Sequence, residues 1–331
     1  MSDLCLRRFG PEDDDEVDAA IAVVDAASAL DSPWERPTRR VAYVAGLRLG
    51  WDGDPERCWL ATVGGDPVAV GGLTLFERDN PRLAWVAVTV HPDCRRRGYG
   101  RVVFDRLVHE ARAAGRSSIG ADVWETSPGV DFVRRRGLVQ RSQAIQRRQH
   151  LADVDRVELR RLHDEAAAVA GDYELFRLVG RTPPELVADM VALVAAINDA
   201  PTDDLDIEDE VFSPARLATY EESTLAQDNR MYRLVARHRA TGALAGHTVV
   251  AVEADRPAIG AQHDTAVARG HRGHRLGLLL KTGMLAWLAE AEPQLETIDT
   301  WNAESNDHMI EVNERLGYRV VARGLQFQRS W

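Results

Sequence analysis

A run of arginine and glycine follows the apolar segment Leu83–Val90, where Pro92 prevents a strand from continuing. It occupies residues 95–100, and a helical pattern begins inside it. Gly98 and Gly100 allow the backbone to approach a ligand closely. The first amide N–H groups of a helix are unpaired and lie at the positive end of its dipole. Together these features predict a cradle for phosphate or pyrophosphate, with charge-assisted hydrogen bonds from the arginines.

A similar run, residues 272–277, follows another strand pattern 177 positions later. A second landmark confirms the alignment, because Arg136-Gly137-Leu138 and Leu316-Gly317-Tyr318 are separated by 180 positions. Two offsets that agree within three residues indicate a tandem duplication.

The elements that must position these loops follow from hydrophobic periodicity. The first half predicts the order β-α-α-β-β-β-α-β-α-β, with hairpin turns at residues 64–66 and 79–81, and the second half repeats this order. We therefore predict an α/β (α+β) chain with two tandem domains, each a mixed, mostly antiparallel twisted sheet flanked by helices. The predicted boundaries are 1–150, a charged and Ala-rich linker at 151–171, and 172–331.

Composition bounds the class of protein. The chain has 331 residues, 45% hydrophobic and 28% charged, which is enough for two cores. Cys5, Cys58 and Cys94 are scattered, so neither a disulfide framework nor a zinc knuckle is expected. The acidic N-terminus and the lack of an 18-residue apolar run favour a cytoplasmic protein with no membrane partner.

The charge balance also excludes several functions. With 41 basic and 52 acidic residues the net charge is −11, which disfavours a nucleic-acid partner. Arginines gathered in tight clusters favour a small anionic ligand instead. Lys281 is the sole lysine, so no Walker loop exists and a Schiff-base lysine would have to be Lys281.

The first-half segment Val88-x-Val90-x-Pro92-x-x-Arg95-Arg96-x-Gly98-x-Gly100 resembles the acetyl-CoA motif of the GCN5-related N-acetyltransferases, the GNAT superfamily. The second half resembles it through Thr265-x-Val267 and residues 271–277. Asn302-x-x-x-Asn306-x-x-Met309-x-x-x-Asn313 is similar to the family's downstream motif. The resemblance covers nearly the whole chain, as in tandem-GNAT proteins such as mycothiol synthase.

The resemblance implies acetyl-CoA as co-substrate and no metal. The pantetheine arm would pair with the backbone of two strands, at Val88 and Val90 and at Thr265 and Val267. Asn302 and Asn306 would lie near the thioester. The pyrophosphate would be held by two loops: Arg95, Arg96, Arg97, Gly98, Tyr99 and Gly100 in the first half, and Arg272, Gly273, His274, Arg275, Leu276 and Gly277 in the second.

Two departures from the family pattern affect the site. Arg275 stands where the family usually has glycine, so either its φ is negative or the loop differs. The family's frequent tyrosine, which protonates the departing thiolate, is replaced by Val133 in the first half and Asn313 in the second.

We expect the second half to be catalytic. His263 or Asp264 would act as the base, directly or through water, and Asn313 would serve as a hydrogen-bonding group. The first half is expected to be degenerate, either binding CoA or only retaining the shape. His263, His271 and His274 lack the supporting carboxylate or cysteine spacing of a metal site.

The predicted function is transfer of an acetyl group from acetyl-CoA to a primary amine of a small molecule, by direct attack. The alternative is a non-catalytic protein that binds or senses acyl-CoA. The acidic stretch 203–210 suggests either a cationic acceptor or simply a solvated loop, and Trp34 or Trp51 could line an acceptor pocket.

Overall fold

The computed structural model describes residues 4–331, which form two compact units. Of the described residues, unit 1 comprises 4–143, 203–209 and 323–331, and unit 2 comprises 144–202 and 210–322. Each unit has a mixed, mostly antiparallel sheet with helices on both faces, which confirms the predicted fold class.

Unit 1 begins with a strand, two helices and three strands. These are β1 (Leu4–Phe9), α1 (Asp14–Asp31), α2 (Arg40–Leu49), β2 (Arg57–Val63), β3 (Asp66–Leu75) and β4 (Leu83–Val90). After the 3-10 turn Pro92–Cys94 come α3 (Tyr99–Ala113), β5 (Ser118–Trp124) and α4 (Gly129–Arg135). The last strand of the chain, β12 (Arg319–Ser330), completes the sheet order β1-β2-β3-β4-β5-β12.

Strands β4 and β5 are the parallel pair in this sheet, and they pair only from Leu83–Ser118 to Trp85–Gly120. Beyond Trp85 the two strands separate. Val103 and Leu107 of α3 are fully buried against one face of the sheet, and Val17 and Val23 of α1 are buried against the other. The opening between β4 and β5 is therefore held by a packed core on both sides.

Unit 2 repeats this arrangement. It contains β6 (Val139–His150), α5 (Arg156–Val169), β7 (Tyr173–Val179), α6 (Val187–Val194), α7 (Pro214–Ala226), β8 (Asn229–His238), β9 (Leu244–Glu253) and β10 (Ile259–Val267). Then follow the 3-10 turn Arg269–His271, α8 (Leu276–Ala291), β11 (Thr297–Ala303) and α9 (Asp307–Arg315). A short 3-10 turn stands on each side of α6, at Pro184–Leu186 and at Ala195–Asp199.

The sheet of unit 2 has the order β6-β11-β10-β9-β8-β7. Strands β10 and β11 are parallel and pair from Ile259–Thr297 to Ala261–Asp299, after which they separate. In β10, His263 and Asp264 together oppose a single residue of β9, because the register shifts between Gln262 and Thr265. This is a β-bulge, which bends a strand and re-aims its side chains. In contrast, β4 of unit 1 pairs with β3 in one continuous register.

The units differ from the predicted boundaries at two strands. β6, within the predicted domain 1–150, pairs with β11 from Ala144–Ala303 to His150–Thr297. Strand β12, within the predicted domain 172–331, pairs with β5. Residues 151–171 contain α5, whose Leu162 and Ala166 are fully buried in the core of unit 2. The predicted linker therefore contains a packed helix, which explains its alanine content.

The acidic segment 203–209 belongs to unit 1. Its Asp206 N–H donates to Gln328 Oε1 (2.8 Å), and its Glu208 N–H donates to Asn80 Oδ1 (2.6 Å). Ser142 Oγ donates to Asp203 Oδ2 (2.6 Å). These hydrogen bonds hold the segment within unit 1, and a cationic acceptor stays a prediction. No helix within residues 4–331 is long and apolar enough to cross a membrane.

Candidate active site

The arginine- and glycine-rich loop of unit 1 joins β4 to α3. Arg96 and Gly98 adopt left-handed conformations, with φ of 65° and 90°. Arg101 N and Val102 N donate to Gly98 O (3.1 and 3.2 Å), so the amides of Tyr99 and Gly100 precede the helical hydrogen bonds. Such amides at a helix start suit an anionic group, as the sequence predicts.

The equivalent loop of unit 2 joins β10 to α8 and has the same conformation. Gly273 and Arg275 have φ of 85° and 56°. Arg275 is therefore in the left-handed region, and the alternative of a negative φ is wrong. Leu279 N donates to Arg275 O (3.0 Å), which leaves the Leu276 and Gly277 amides ahead of the helical ladder.

Side-chain space differs between the two helix starts. A β-carbon on Gly100 would lie 3.1 Å from Val90 Cγ2, with Phe132 and Val88 close behind it. A β-carbon on Gly277 would have no atom within 4 Å. Gly100 is thus closely packed inside unit 1, whereas Gly277 borders open space where a phosphate would approach.

The first arginine of each loop is held by an aspartate from a preceding helix or turn. Arg95 donates to both carboxylate oxygens of Asp31 (2.9 and 2.6 Å) and through Nε to Val90 O (3.3 Å). Arg272 repeats this with Asp199 Oδ2 (2.6 Å) and Val267 O (3.2 Å). These two guanidinium groups anchor the loops. The exposed loop side chains that remain for phosphates are Arg96, Arg97 and Arg275.

A cavity of about 640 Å³ lies between the separated strands β4 and β5 of unit 1. Val88, Val90, Gly98, Tyr99 and Gly100 line it, together with residues of α4 and the end of α1. Cavities of this size are typical of ligand sites in proteins. The predicted CoA-binding residues of the first half therefore line one cavity, with the exception of Arg97.

The bulge of unit 2 carries the two predicted bases. His263 Nδ1 and Tyr220 Oη of α7 lie 2.8 Å apart. The Asp264 carboxylate has no hydrogen-bond or ion-pair partner within residues 4–331, and it is half-buried. Burial, and secondarily Arg233, lowers the pKa of His263 to about 4. Burial raises the pKa of Asp264, against a smaller opposite effect of Arg233. His263 is therefore neutral at pH 7. Asp264 is a stronger base than an ordinary aspartate, because its pKa is raised.

An ion pair lies behind these residues, on the face covered by α7. Arg233 Nη1 donates to Glu221 Oε1 (2.7 Å) and Thr182 Oγ1 (2.5 Å), and both charged side chains are at most 4% exposed. His247 is also buried there, and neither of its ring nitrogens has a partner within residues 4–331. This cluster has no local signal in the sequence, because its members come from different helices, strands and loops.

The predicted asparagines of unit 2 support the backbone as well as the cleft. Asn306 caps α9, with Oδ1 accepting from Met309 N (3.3 Å). Asn313 is fully buried and donates through Nδ2 to Asn302 Oδ1 (2.7 Å). Thr265 Oγ1 lies 2.7 Å from Thr248 Oγ1. Asn313 is thus a hydrogen-bonding group. The side-chain oxygen of Asn306 caps the helix, so its side-chain NH2 group remains for a ligand.

The histidines of the second loop pack around an aromatic ring. His271 Nδ1 lies 3.0 Å from Tyr173 Oη, and the His274 ring lies 5.4 Å from the Tyr173 ring. His263 is not part of this group. Among residues 4–331 no cluster of three or more His, Cys, Asp or Glu side chains is arranged to hold a metal ion.

The residues present fit CoA in both units. Unit 1 offers a cavity that leads from the helix start into the sheet, and unit 2 offers open space at Gly277 beside exposed arginines. In each unit the loop amides would hold the pyrophosphate, and the separated strands leave backbone groups for the pantetheine amides.

Comparison with solved structures finds the same architecture. A tandem GNAT protein from the clavulanic acid biosynthesis pathway has a TM-score of 0.82 at 29% identity, covering 99% of this chain and 98% of that chain. A GCN5-related N-acetyltransferase from Sphaerobacter thermophilus has a TM-score of 0.67 at 14% identity, covering 99% and 95%. A glucosamine N-acetyltransferase region in a fungal multi-domain GH3 beta-N-acetylglucosaminidase has a TM-score of 0.70 at 16% identity, covering 98% and 38%.

A search of curated proteins gave no match. Comparison with protein families, in contrast, classifies the chain. The model of the acetyltransferase (GNAT) family matches residues 23–137 and 196–318, which is more than half of the chain and includes both loops. The chain therefore belongs to the acetyltransferase (GNAT) family, in the tandem form that the duplicated loop predicts.

Proposed function

We propose that unit 2 transfers an acyl group from an acyl-CoA thioester, in the simplest case acetyl-CoA, to the primary amine of a small molecule. The observation that carries this proposal is the β-bulge with its unpartnered Asp264 carboxylate beside His263. The matching strand β4 of unit 1 is continuous, and its sequence, Leu83–Val90, has no ionisable side chain.

Asp264 is the proposed base. A substrate ammonium would bind its unpartnered carboxylate, and the raised pKa favours proton transfer from the ammonium to Asp264. The amine then attacks the thioester carbonyl directly. As the C–S bond breaks, the leaving thiolate takes the second proton of the attacking nitrogen, so that an amide and the CoA thiol form without a covalent enzyme intermediate.

His263 is the proposed donor to the carbonyl oxygen. Burial raises the pKa of Tyr220, so its O–H stays intact and can donate to His263 Nδ1. The imidazole then carries its proton on Nε2, where it can stabilise negative charge on an oxygen. Tyr220 thus positions His263 without touching substrate.

Unit 1 is proposed to bind CoA without turning it over. Its cavity has the loop and the shape, but Val133 stands where unit 2 has Asn313, and no bulge interrupts β4. A protein with both units inactive would be the acyl-CoA sensor that the sequence leaves open.

A thiol-release assay with acetyl-CoA and a panel of small amines tests the proposal. We expect amine-dependent CoA release that Asp264→Asn lowers on the order of 10²-fold or more. Asp164→Asn is the matched control, because Asp164 is an exposed carboxylate on α5 of the same unit. Tight acyl-CoA binding with no amine-dependent release would instead identify the sensor.

A further inference from the structure

Lys281 is a buried amine without a counter-charge. It lies on α8 and is 2% exposed. Its Nζ makes no hydrogen bond or ion pair within residues 4–331, and its polar contact is the face of the Tyr318 ring, 5.1 Å away. Burying an uncompensated cation is costly, and burial lowers the pKa of Lys281 to about 7. Such a group calls for an anion that the chain itself does not supply.

The repeat locates Lys281 relative to the cleft. Its counterpart 177 positions earlier is Phe104, which lines the cavity of unit 1. Asn313 likewise corresponds to Val133, another lining residue of that cavity. Asn313 is fully buried, and its Oδ1 has no partner within residues 4–331. At two positions where unit 1 has apolar residues lining its cavity, unit 2 therefore has buried polar side chains that can still form hydrogen bonds.

Tyr318 places Lys281 near the closed end of the opening between β10 and β11. The last paired residues of these strands are Ala261 and Asp299. Asp299 is close enough to Tyr318 that its carboxylate, after burial, helps to raise the pKa of the phenol. A CoA arm that enters from the α8 loop would direct its acyl end toward this point.

We propose that Lys281 binds a carboxylate at the end of the acyl chain, so that the acyl donor of unit 2 is the CoA thioester of a dicarboxylic acid. This inference rests on the proposed acyl transfer and specifies its donor. An acetyl group would leave the amine unpaired, whereas a carboxylate forms a charge-assisted hydrogen bond with it. Buried, such a bond is among the stronger polar contacts.

Calorimetric titration of the full chain with three thioesters tests this inference without an acceptor. Succinyl-CoA carries the carboxylate, pentanoyl-CoA is a length-matched uncharged control, and acetyl-CoA is the short reference. We expect succinyl-CoA to bind one site at least tenfold more tightly than the other two. Lys281→Met should abolish this preference, and Lys281→Gln should do the same. Circular dichroism of both variants checks that they fold.

Four results would overturn the inference. Wild-type protein that binds and turns over all three thioesters alike would leave acyl transfer intact but exclude the carboxylate site. A succinyl preference that persists in both folded variants would exclude Lys281. An intact mass increased by one succinyl group in the wild type, but not in Lys281→Met, would make Lys281 an acyl acceptor instead. Failure of every thioester to bind would overturn the proposed function as well.

Discussion

Gly98 and Arg275 occupy equivalent positions directly before α3 and α8, and both have a left-handed backbone, with φ of 90° and 56°. The other left-handed position of each loop shows the reverse choice, Arg96 in unit 1 and Gly273 in unit 2. Each loop therefore has one glycine and one arginine at its two left-handed backbone positions. The backbone path is common to both loops, although the residues are exchanged.

Arg275→Gly is expected to raise the free energy of unfolding by about 1 kcal/mol, because it removes a β-carbon from a left-handed site. The pair between Arg275 Nη1 and Glu165 Oε2 (3.6 Å) is half-exposed and contributes little. Urea denaturation measures the change, with Arg96→Gly as the matched substitution in unit 1. A loss of stability in both variants would show that the arginines support the loops by contacts.

Gly277→Val and Gly100→Val should affect different properties. A β-carbon at 277 borders open space, so we expect Gly277→Val to fold but no longer to turn over acyl-CoA. Valine at 100 would crowd Val90 and should cost about 1–3 kcal/mol of stability, with most activity retained. Melting temperatures with and without acetyl-CoA, beside steady-state rates, separate the two effects. An inactive Gly100→Val with an active Gly277→Val would place catalysis in unit 1.

The pH dependence of kcat/KM should report Asp264. Its pKa is raised, so activity falls as pH decreases through that value and the carboxylate becomes protonated. The His263 pKa of about 4 means that this residue is neutral at pH values well above 4. His263→Asn, which keeps an N–H donor, should retain the acidic limb, whereas Asp264→Asn should abolish it. The opposite pattern would make His263 the base.

Lys281 should make stability rise with pH between about 7 and 8.5. Its pKa is about 7 in the folded chain and 10.5 in the reference state, so in this range the unfolded chain binds the extra proton. The free energy of unfolding then increases by up to about 1.4 kcal/mol per pH unit. Denaturation curves at several pH values measure this slope, which Lys281→Met should remove. An equal slope in both proteins would mean that the amine is charged when folded.

Most elements could be predicted from the sequence because their signals are local. The apolar segment Leu83–Val90 forms β4 over the same residues, since turn residues on both sides define it. The loops were found from glycine and arginine at fixed spacing, and the duplication confirmed their register. Features defined by neighbouring residues in the chain could therefore be predicted from the sequence.

The remainder of the site depends on contacts between distant segments. Tyr220 contacts His263 although the two residues are 43 positions apart in the chain. The contact of Lys281 with the Tyr318 ring is likewise visible only in the folded structure. The same limitation explains Arg95, which resembles a phosphate ligand in sequence but is held by Asp31, 64 positions away. A strand pattern also carries no information on which sheet it joins, as β6 and β12 show.

The placement of β6 and β12 determines the order in which the ribosome can complete the two units. Every residue of unit 2 has been synthesised by position 322, whereas unit 1 still lacks the part of β12 that pairs with β5. The edge of β5 stays without that partner until residues 324–330 are translated. Unit 1, which comes first in the chain, can therefore complete its sheet only after unit 2 has been synthesised.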